Sequence, residues 1–310
     1  MPSYLATNIP VTLTGSINPS TGNKYIADTI GAVRNAFTSC NFTRLPQQNS
    51  GSLSSPSDLN TLLGATSNAQ TLAFDMFAFG DSWQATNPLF IKVVYVTYFG
   101  IQSLGMYLEM GSQQNGSGSI TSVDRIVSTT AGGSGTNNLF SDRVQGSGDG
   151  SYISLLVFAG NSISAGNRNG TVFVCERLYD ASGQPTGSGF HLLTTGYPSA
   201  GPVTSQTSMH GQTTLSAREQ YSVVNSRPSR VPAIYNGNLV LGLIYPYYGK
   251  PLNPTPNVLL GEGTTFNTPY STVNYAVYGT TNTYVAASGS AFDNLPQRVY
   301  SNGNWLVRYV

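Results

Sequence analysis

FDMFAFGDSWQATNPLFIKVVYVTYFG, residues Phe74 to Gly100, packs a dense apolar and aromatic run into one segment, yet places Asp75, Asp81 and Lys92 inside it. Only 9% of the 310 residues are charged. Charges spent in such a run need a reason: a catalytic centre, a binding site, or ionic staples that pin a sheet. The local pattern is strand, turn, strand. Leu72 to Phe79 and Leu89 to Phe99 are rich in aromatic and β-branched residues, and Gly80-Asp81-Ser82-Trp83 with Asn87-Pro88 between them is turn chemistry.

N-terminal to this run, Ile26, Ile30, Val33 and Phe37 recur at four, three and four, which predicts one amphipathic helix over Lys24 to Cys40. A short alternating strand, Asn41 to Leu45, follows it. Residues 46–70 are low in complexity and form a long loop insertion. Inside it, Pro56, then Leu59, Leu62 and Leu63, then Gly64 have the start, spacing and stop of a short helix, whose leucines need a surface to cover them.

C-terminal to it, strands are expected at Met106 to Met110, Val123 to Thr130 and Tyr152 to Ala159, punctuated by glycine clusters. Thr171 to Tyr179 and Phe190 to Thr195 read as a hairpin across Asp180-Ala181-Ser182-Gly183. Asn238 to Tyr245, Val273 to Tyr278, Thr283 to Ala287 and Trp305 to Val310 complete the strands. Between them the run from Tyr245 to Pro256, with Tyr247, Tyr248, Pro251 and Pro254, reads as an extended arm suited to an intersubunit contact. The expected fold is mainly β: an antiparallel sandwich- or barrel-like core, one N-terminal helix and long loops. Residues 1–195 form the helix and main β domain and 196–310 a C-terminal β region, although a single domain fits as well. No fixed-period repeat is present, which disfavours propellers and solenoids.

The charged fraction lies far below the roughly 25% of ordinary soluble domains. Net charge is +1 and the only lysines are Lys24, Lys92 and Lys250, so no basic stripe exists for nucleic acid. A near-neutral body resists association weakly, which points to self-association or capture by a larger particle. The N-terminus has no signal-peptide pattern and no apolar run reaches a membrane span; a soluble protein folded in a reducing compartment is expected. Cys40 and Cys175 have no CxxC context and read as buried free thiols. The Asn-x-Ser/Thr triplets at Asn41, Asn115 and Asn169 are then chance matches.

Asp75, Asp81 and Glu109 could supply a carboxylate pair for glycoside cleavage, but that chemistry needs two carboxyls at a fixed separation in one cleft. The simpler reading makes Asp75, Asp81 and Lys92 structural staples, with Asp81 capping its turn and Lys92 pairing with Asp81 or Asp75. His191 and His210 stand outside any triad or HExxH pattern, and Gly146 to Gly150 lacks the ligands of a calcium or phosphate loop and reads as a turn. No catalytic residue, metal or cofactor is expected. Tyr245, Tyr247, Tyr248, Tyr270, Tyr275, Tyr278 and Tyr284 could form a stacking or docking surface, with some of them in the sheet core.

The order Asn35-Ala36-Phe37, Cys40 to Leu45, Phe74 to Phe79, Asp81, Gln84-Ala85-Thr86, Asn87-Pro88, Leu89 to Val94, Met106 to Gly111 and Gly116 to Gly118 is similar to virion-associated proteins of tailed bacteriophages. It spans roughly residues 20–120, less the insertion. The resemblance implies a particle component without catalytic residues, located in the virion and acting through homo-oligomeric contacts and contacts with other virion proteins. Tail, baseplate or collar is the expected position. A head decoration protein or head fibre is one alternative, a receptor-binding tip holding host glycan a second, and a depolymerase using Asp75, Asp81 or Glu109 a third.

Overall fold

The two strands foreseen around Asp81 are neighbours in one antiparallel sheet. The computed structural model describes residues 3–7, 30–45, 70–98, 103–121, 126–129, 141–159, 169–180, 182–195, 207–211, 234–235, 238–239, 242–244, 255–262, 272–286 and 303–309. Among them every strand pairing is antiparallel, and the fold is mainly β with a single helix, α1, over residues 30–39. A five-stranded sheet runs β2-β3-β4-β5-β6, with β2 at Thr43–Arg44, β3 at Gln70–Ala78, β4 at Phe90–Tyr98, β5 at Ser103–Gly111 and β6 at Ile126–Thr129. A six-stranded sheet runs β1-β7-β8-β9-β10-β11: Ser3–Thr7, Ser141–Gly148, Tyr152–Ala159, Asn169–Tyr179, Pro185–Thr195 and Thr207–Gly211. A third sheet runs β14-β15-β18-β17-β16, namely Gly242–Ile244, Thr255–Glu262, Gly303–Arg308, Thr280–Ala286 and Thr272–Val277. β12 (Ile234–Tyr235) and β13 (Asn238–Leu239) pair with each other.

Helix α1 is wedged between the first two sheets. Ile30, Val33 and Phe37, on one face at helical spacing, are fully buried. Phe37 stacks on Phe77 of β3 at 4.2 Å, and Phe42 lies 5.0 Å from Phe79. The strip beside that face meets β7: a Cβ on Gly146 would stand 3.2 Å from Cβ of Ala36, and one on Gly148 would overlap the Tyr152 carbonyl oxygen and stand 2.9 Å from Cβ of Cys40, just past the helix. The helix ends as the N–H of Phe42 donates to the Phe37 carbonyl (3.0 Å), with Asn41 left-handed at φ 65°. Beside that cap the two sheets touch. Gly80 N–H donates to the Gly150 carbonyl at 3.1 Å, and a side chain at Gly80 would overlap the Asn41 carbonyl oxygen.

The hairpin across Asp180 forms, with a register shift between Pro185 and Gly189. Its loop is held by Asp180 Oδ1, which accepts from the N–H of Ser182 (2.8 Å) and of Gln184 (2.9 Å). Five strands, β1, β7, β11, β12 and β15, lie where the sequence pattern did not predict them. β7 reads as glycine punctuation because its glycines serve close approach to α1, while β1 and β11 lack a dense apolar run. β15 occupies the end of the expected arm, so Pro256 belongs to a sheet. Its ladder with β18 begins at Val258, beyond the proline, whose missing N–H therefore costs no bond there. The six-stranded sheet also crosses residue 195, since β11 pairs with β10. Leu59, Leu62, Leu63, Tyr245, Tyr247, Tyr248, Pro251 and Pro254 lie outside the described residues, as does most of the insertion.

Candidate functional site

The charges of the opening segment are held by arginines from distant parts of the chain. Asp75, on β3, is completely buried. Its Oδ2 accepts from Arg34 Nε of α1 at 2.6 Å and its Oδ1 from Arg44 Nε of β2 at 2.9 Å. One carboxylate thus clasps helix, edge strand and sheet. Tyr95 lies fully buried beside them, and burial, followed by the Asp75 charge and the contact of its hydroxyl with the Asp75 side chain, holds its pKa well above the ordinary tyrosine value.

Asp81 sits in the turn after β3 and is gripped from the other sheet. Arg177 of β9 donates Nε to Oδ2 at 2.6 Å and Nη2 to Oδ1 at 3.0 Å, a forked pair. Its Nη1 donates to the Asn87 carbonyl at 2.5 Å, and its guanidinium lies 5.3 Å from the Phe79 ring. The Gln84 side-chain oxygen accepts from the N–H of Leu89 (3.0 Å) and from Arg177 Nη2 (3.4 Å), completing the turn.

Lys92 is not the partner of either aspartate. Register sets it opposite Met76 on β3 and Glu109 on β5, whereas Asp75 is opposite Val93, so Lys92 and Asp75 project from opposite faces of the sheet. Lys92 Nζ instead lies over the Phe74 ring at 4.5 Å. The expected cap at Asp81 is also corrected: its main-chain carbonyl accepts from the Gln84 N–H (3.2 Å), while its carboxylate is taken by Arg177. The same register separates Asp75 from Glu109, which therefore cannot face one cleft.

A third buried polar group joins the six-stranded sheet to β14–β18. Asn257 of β15 donates through Nδ2 to Glu176 of β9 and accepts from Arg308 Nη1 of β18 at 3.4 Å. The Arg308 guanidinium lies 5.2 Å from the Tyr152 ring, and the Ser154 hydroxyl donates to the Arg308 carbonyl at 2.6 Å. The glycine-rich segment is a turn only in part: Gly146 to Gly148 lie in β7, paired with both β1 and β8, and the turn is confined to Asp149, Gly150 and Ser151. Asp149 Oδ1 accepts from the Ser151 N–H (3.0 Å), the Ser151 hydroxyl (2.7 Å) and the Tyr152 N–H (3.3 Å).

Both cysteines are free and buried. Burial pushes the Cys40 thiol up to about 12, with Asp149 adding to it, and Cys175 well above its ordinary value, with Glu176 adding. The two histidines, far apart in sequence, stand opposite one another in register, with Cys175 opposite His191. No group of three or more His, Cys, Asp or Glu residues that could hold a metal occurs among the described residues, and no described helix is long and apolar enough to cross a membrane. The tyrosines divide: Tyr284 is fully buried, Tyr275 is half-buried and Tyr278 is 63% exposed.

Sequence reasoning singled out the carboxylates but missed Arg34, Arg44, Arg177, Asn257 and Arg308. A signal existed for Arg177, which with Glu176 interrupts the apolar strand Val172 to Tyr179 as Asp75 interrupts its own. Comparison of the chain with family models, with curated proteins and with solved structures finds no match.

Proposed function

We propose that this chain is a structural component of a tailed-phage virion, built into tail, baseplate or collar as repeated copies and working through surfaces shared between chains. The observation that supports this best is how the carboxylates are used. Asp75, Asp81 and Glu176 each tie separate elements together, and Asp75 and Glu109 lie on opposite faces of their sheet. The arrangement has the chemistry of a welded building block. The charge-poor surface favours lasting contact over repulsion between copies, and the resemblance over residues 20–120 points the same way.

Imaging intact particles tests the proposal. Density for this chain, repeated around the tail, baseplate or collar, is expected. Density on the head surface, or its absence from the particle, would overturn that placement. The enzyme alternative is tested with purified protein and capsular polysaccharide. Cleavage abolished by Asp81→Asn in a folded protein would contradict the structural role of Asp81.

A further inference from the structure

The hairpin of β16 and β17 closes with Tyr278 at φ 52° and Gly279 at φ 75°, the left-handed pair of a two-residue type I′ turn. Val277 and Thr280 flank it in register and form the hydrogen-bonded pair nearest the turn. From that pair the pattern alternates. Val273, Tyr275 and Val277 direct their backbone groups at β17, and Thr272, Asn274 and Ala276 direct theirs the other way. Two observations on β17 agree with this phase. The Thr283 carbonyl, opposite Asn274, turns away from β16 to accept from the Tyr309 N–H at 2.8 Å. The Thr283 hydroxyl also reaches Asn274 Oδ1 at 2.9 Å, the close side-chain approach of a pair not bonded through its backbone.

β16 is the edge of its sheet among the described strands, with β17 as its neighbour. Edge strands are normally protected by lysine, proline, a bulge or an inward charge. β16 reads Thr-Val-Asn-Tyr-Ala-Val, without charge or proline, and pairs with β17 without a register shift. Thr272, Asn274 and Ala276 are exposed, and Val273 and Tyr275, facing the core side, are only half-buried.

We propose that two copies of this chain pair antiparallel through β16, with Asn274 opposite its own counterpart on a two-fold axis. This register alone sets Thr272 opposite the partner's Ala276 and Asn274 opposite the partner's Asn274, so that each outward N–H of both copies meets a carbonyl. On the core side it sets Val273 opposite the partner's Tyr275, a β-branched–aromatic pair that covers the two half-buried side chains. An uncharged strand meets its own copy without like-charge repulsion, and the contact is self-complementary, as two-fold symmetry requires. The inference rests on the reading of the chain as a self-assembling block and names one of the surfaces it uses.

Full-length Asn274→Cys and Thr272→Cys, treated with a short-armed bismaleimide, test the register; Cys40 and Cys175 are buried. The two copies of residue 274 would stand about 5.5 Å apart, and those of residue 272 about 14 Å apart along the strands. Asn274→Cys is expected to give a covalent dimer in at least tenfold greater yield than Thr272→Cys. Ala276→Pro removes an outward N–H where an edge strand tolerates proline. It is expected to lower the paired fraction at least tenfold at fixed concentration, with circular dichroism and thermal unfolding unchanged. Equal cross-linking at both positions, or pairing that survives Ala276→Pro, overturns the β16 contact and leaves self-assembly standing. A wild-type chain that light scattering finds monomeric at every concentration overturns both.

Discussion

The clusters around Asp75 and Asp81 are the same device built with opposite burial. At Asp75 the acid is dry and its bases reach water: the carboxylate side chain is 0% exposed, against 20% for Arg34 and 32% for Arg44. At Asp81 the base is dry at 0% and the acid keeps 9%. A buried charge costs several kcal/mol unless it is paired and fully hydrogen-bonded. In each cluster the interior partner is therefore the one held by several bonds. Asp75 takes two guanidinium groups, and Arg177 takes a carboxylate, a carbonyl and a side-chain amide. The first cluster fastens elements within one sheet region, and the second fastens one sheet to another. A few charges suffice because in each cluster one partner is placed where water cannot replace what it would lose.

The largest effect is expected at the seam beside both clusters. Gly80→Ala drives a methyl group into the Asn41 main chain, where the helix cap and the turn after β3 meet, and should destabilise by on the order of 4 kcal/mol or more, read by urea unfolding. Next, the burial contrast predicts unequal losses from the two acids. Asp81→Ala strands the fully buried Arg177 and should cost about 3 kcal/mol. Asp75→Ala leaves Arg34 and Arg44, whose side chains keep 20% and 32% of their exposure although Arg34 Nη2 is itself buried, and should cost about 2 kcal/mol. The reverse order would break the comparison.

The strands were legible where a dense run of apolar, aromatic and β-branched residues is covered on both faces, as in β3, β4 and β8, whose observed ends fall within two residues of the expected ones. They were illegible where the reason for a residue lies in another element. The glycines of β7 make sense only against Ala36 of α1 and Cys40 just past it, and Pro256 only once the ladder with β18 is known to start beyond it. The carboxylates announced themselves by interrupting apolar runs, but sequence order held no trace of their partners: Arg177 is 96 residues from Asp81 and Arg34 is 41 from Asp75. Local pattern likewise placed Lys92 near Asp75 without saying that adjacent strand positions face opposite ways.

A smaller, distributed effect follows from the buried neutral acids. Cys40, raised from 9.0 to about 12, binds its proton more tightly folded than unfolded. Its contribution is fully present below pH 9 and is lost as pH rises toward 12. Tyr95, Tyr152, Tyr179 and Tyr284, all raised above 10.0 chiefly by burial, act in the same direction. Urea midpoints should hold between pH 7 and 9 and fall progressively above it; a midpoint that rises with alkali would contradict this burial. The smallest effect is expected for Tyr95→Phe, which removes a buried hydroxyl that meets Asp75 without well-formed hydrogen-bond geometry. Stability should change by less than about 1 kcal/mol, whereas a larger loss would mean that the hydroxyl supports Asp75.

The most direct test of ionic groups as welds between sheets is a double-mutant cycle on Asp81→Ala and Arg177→Met, read by urea unfolding. A coupling of about 2–3 kcal/mol is predicted. Losses that add to within about 0.5 kcal/mol would mean that the two side chains act independently, and that the sheets are joined by something else.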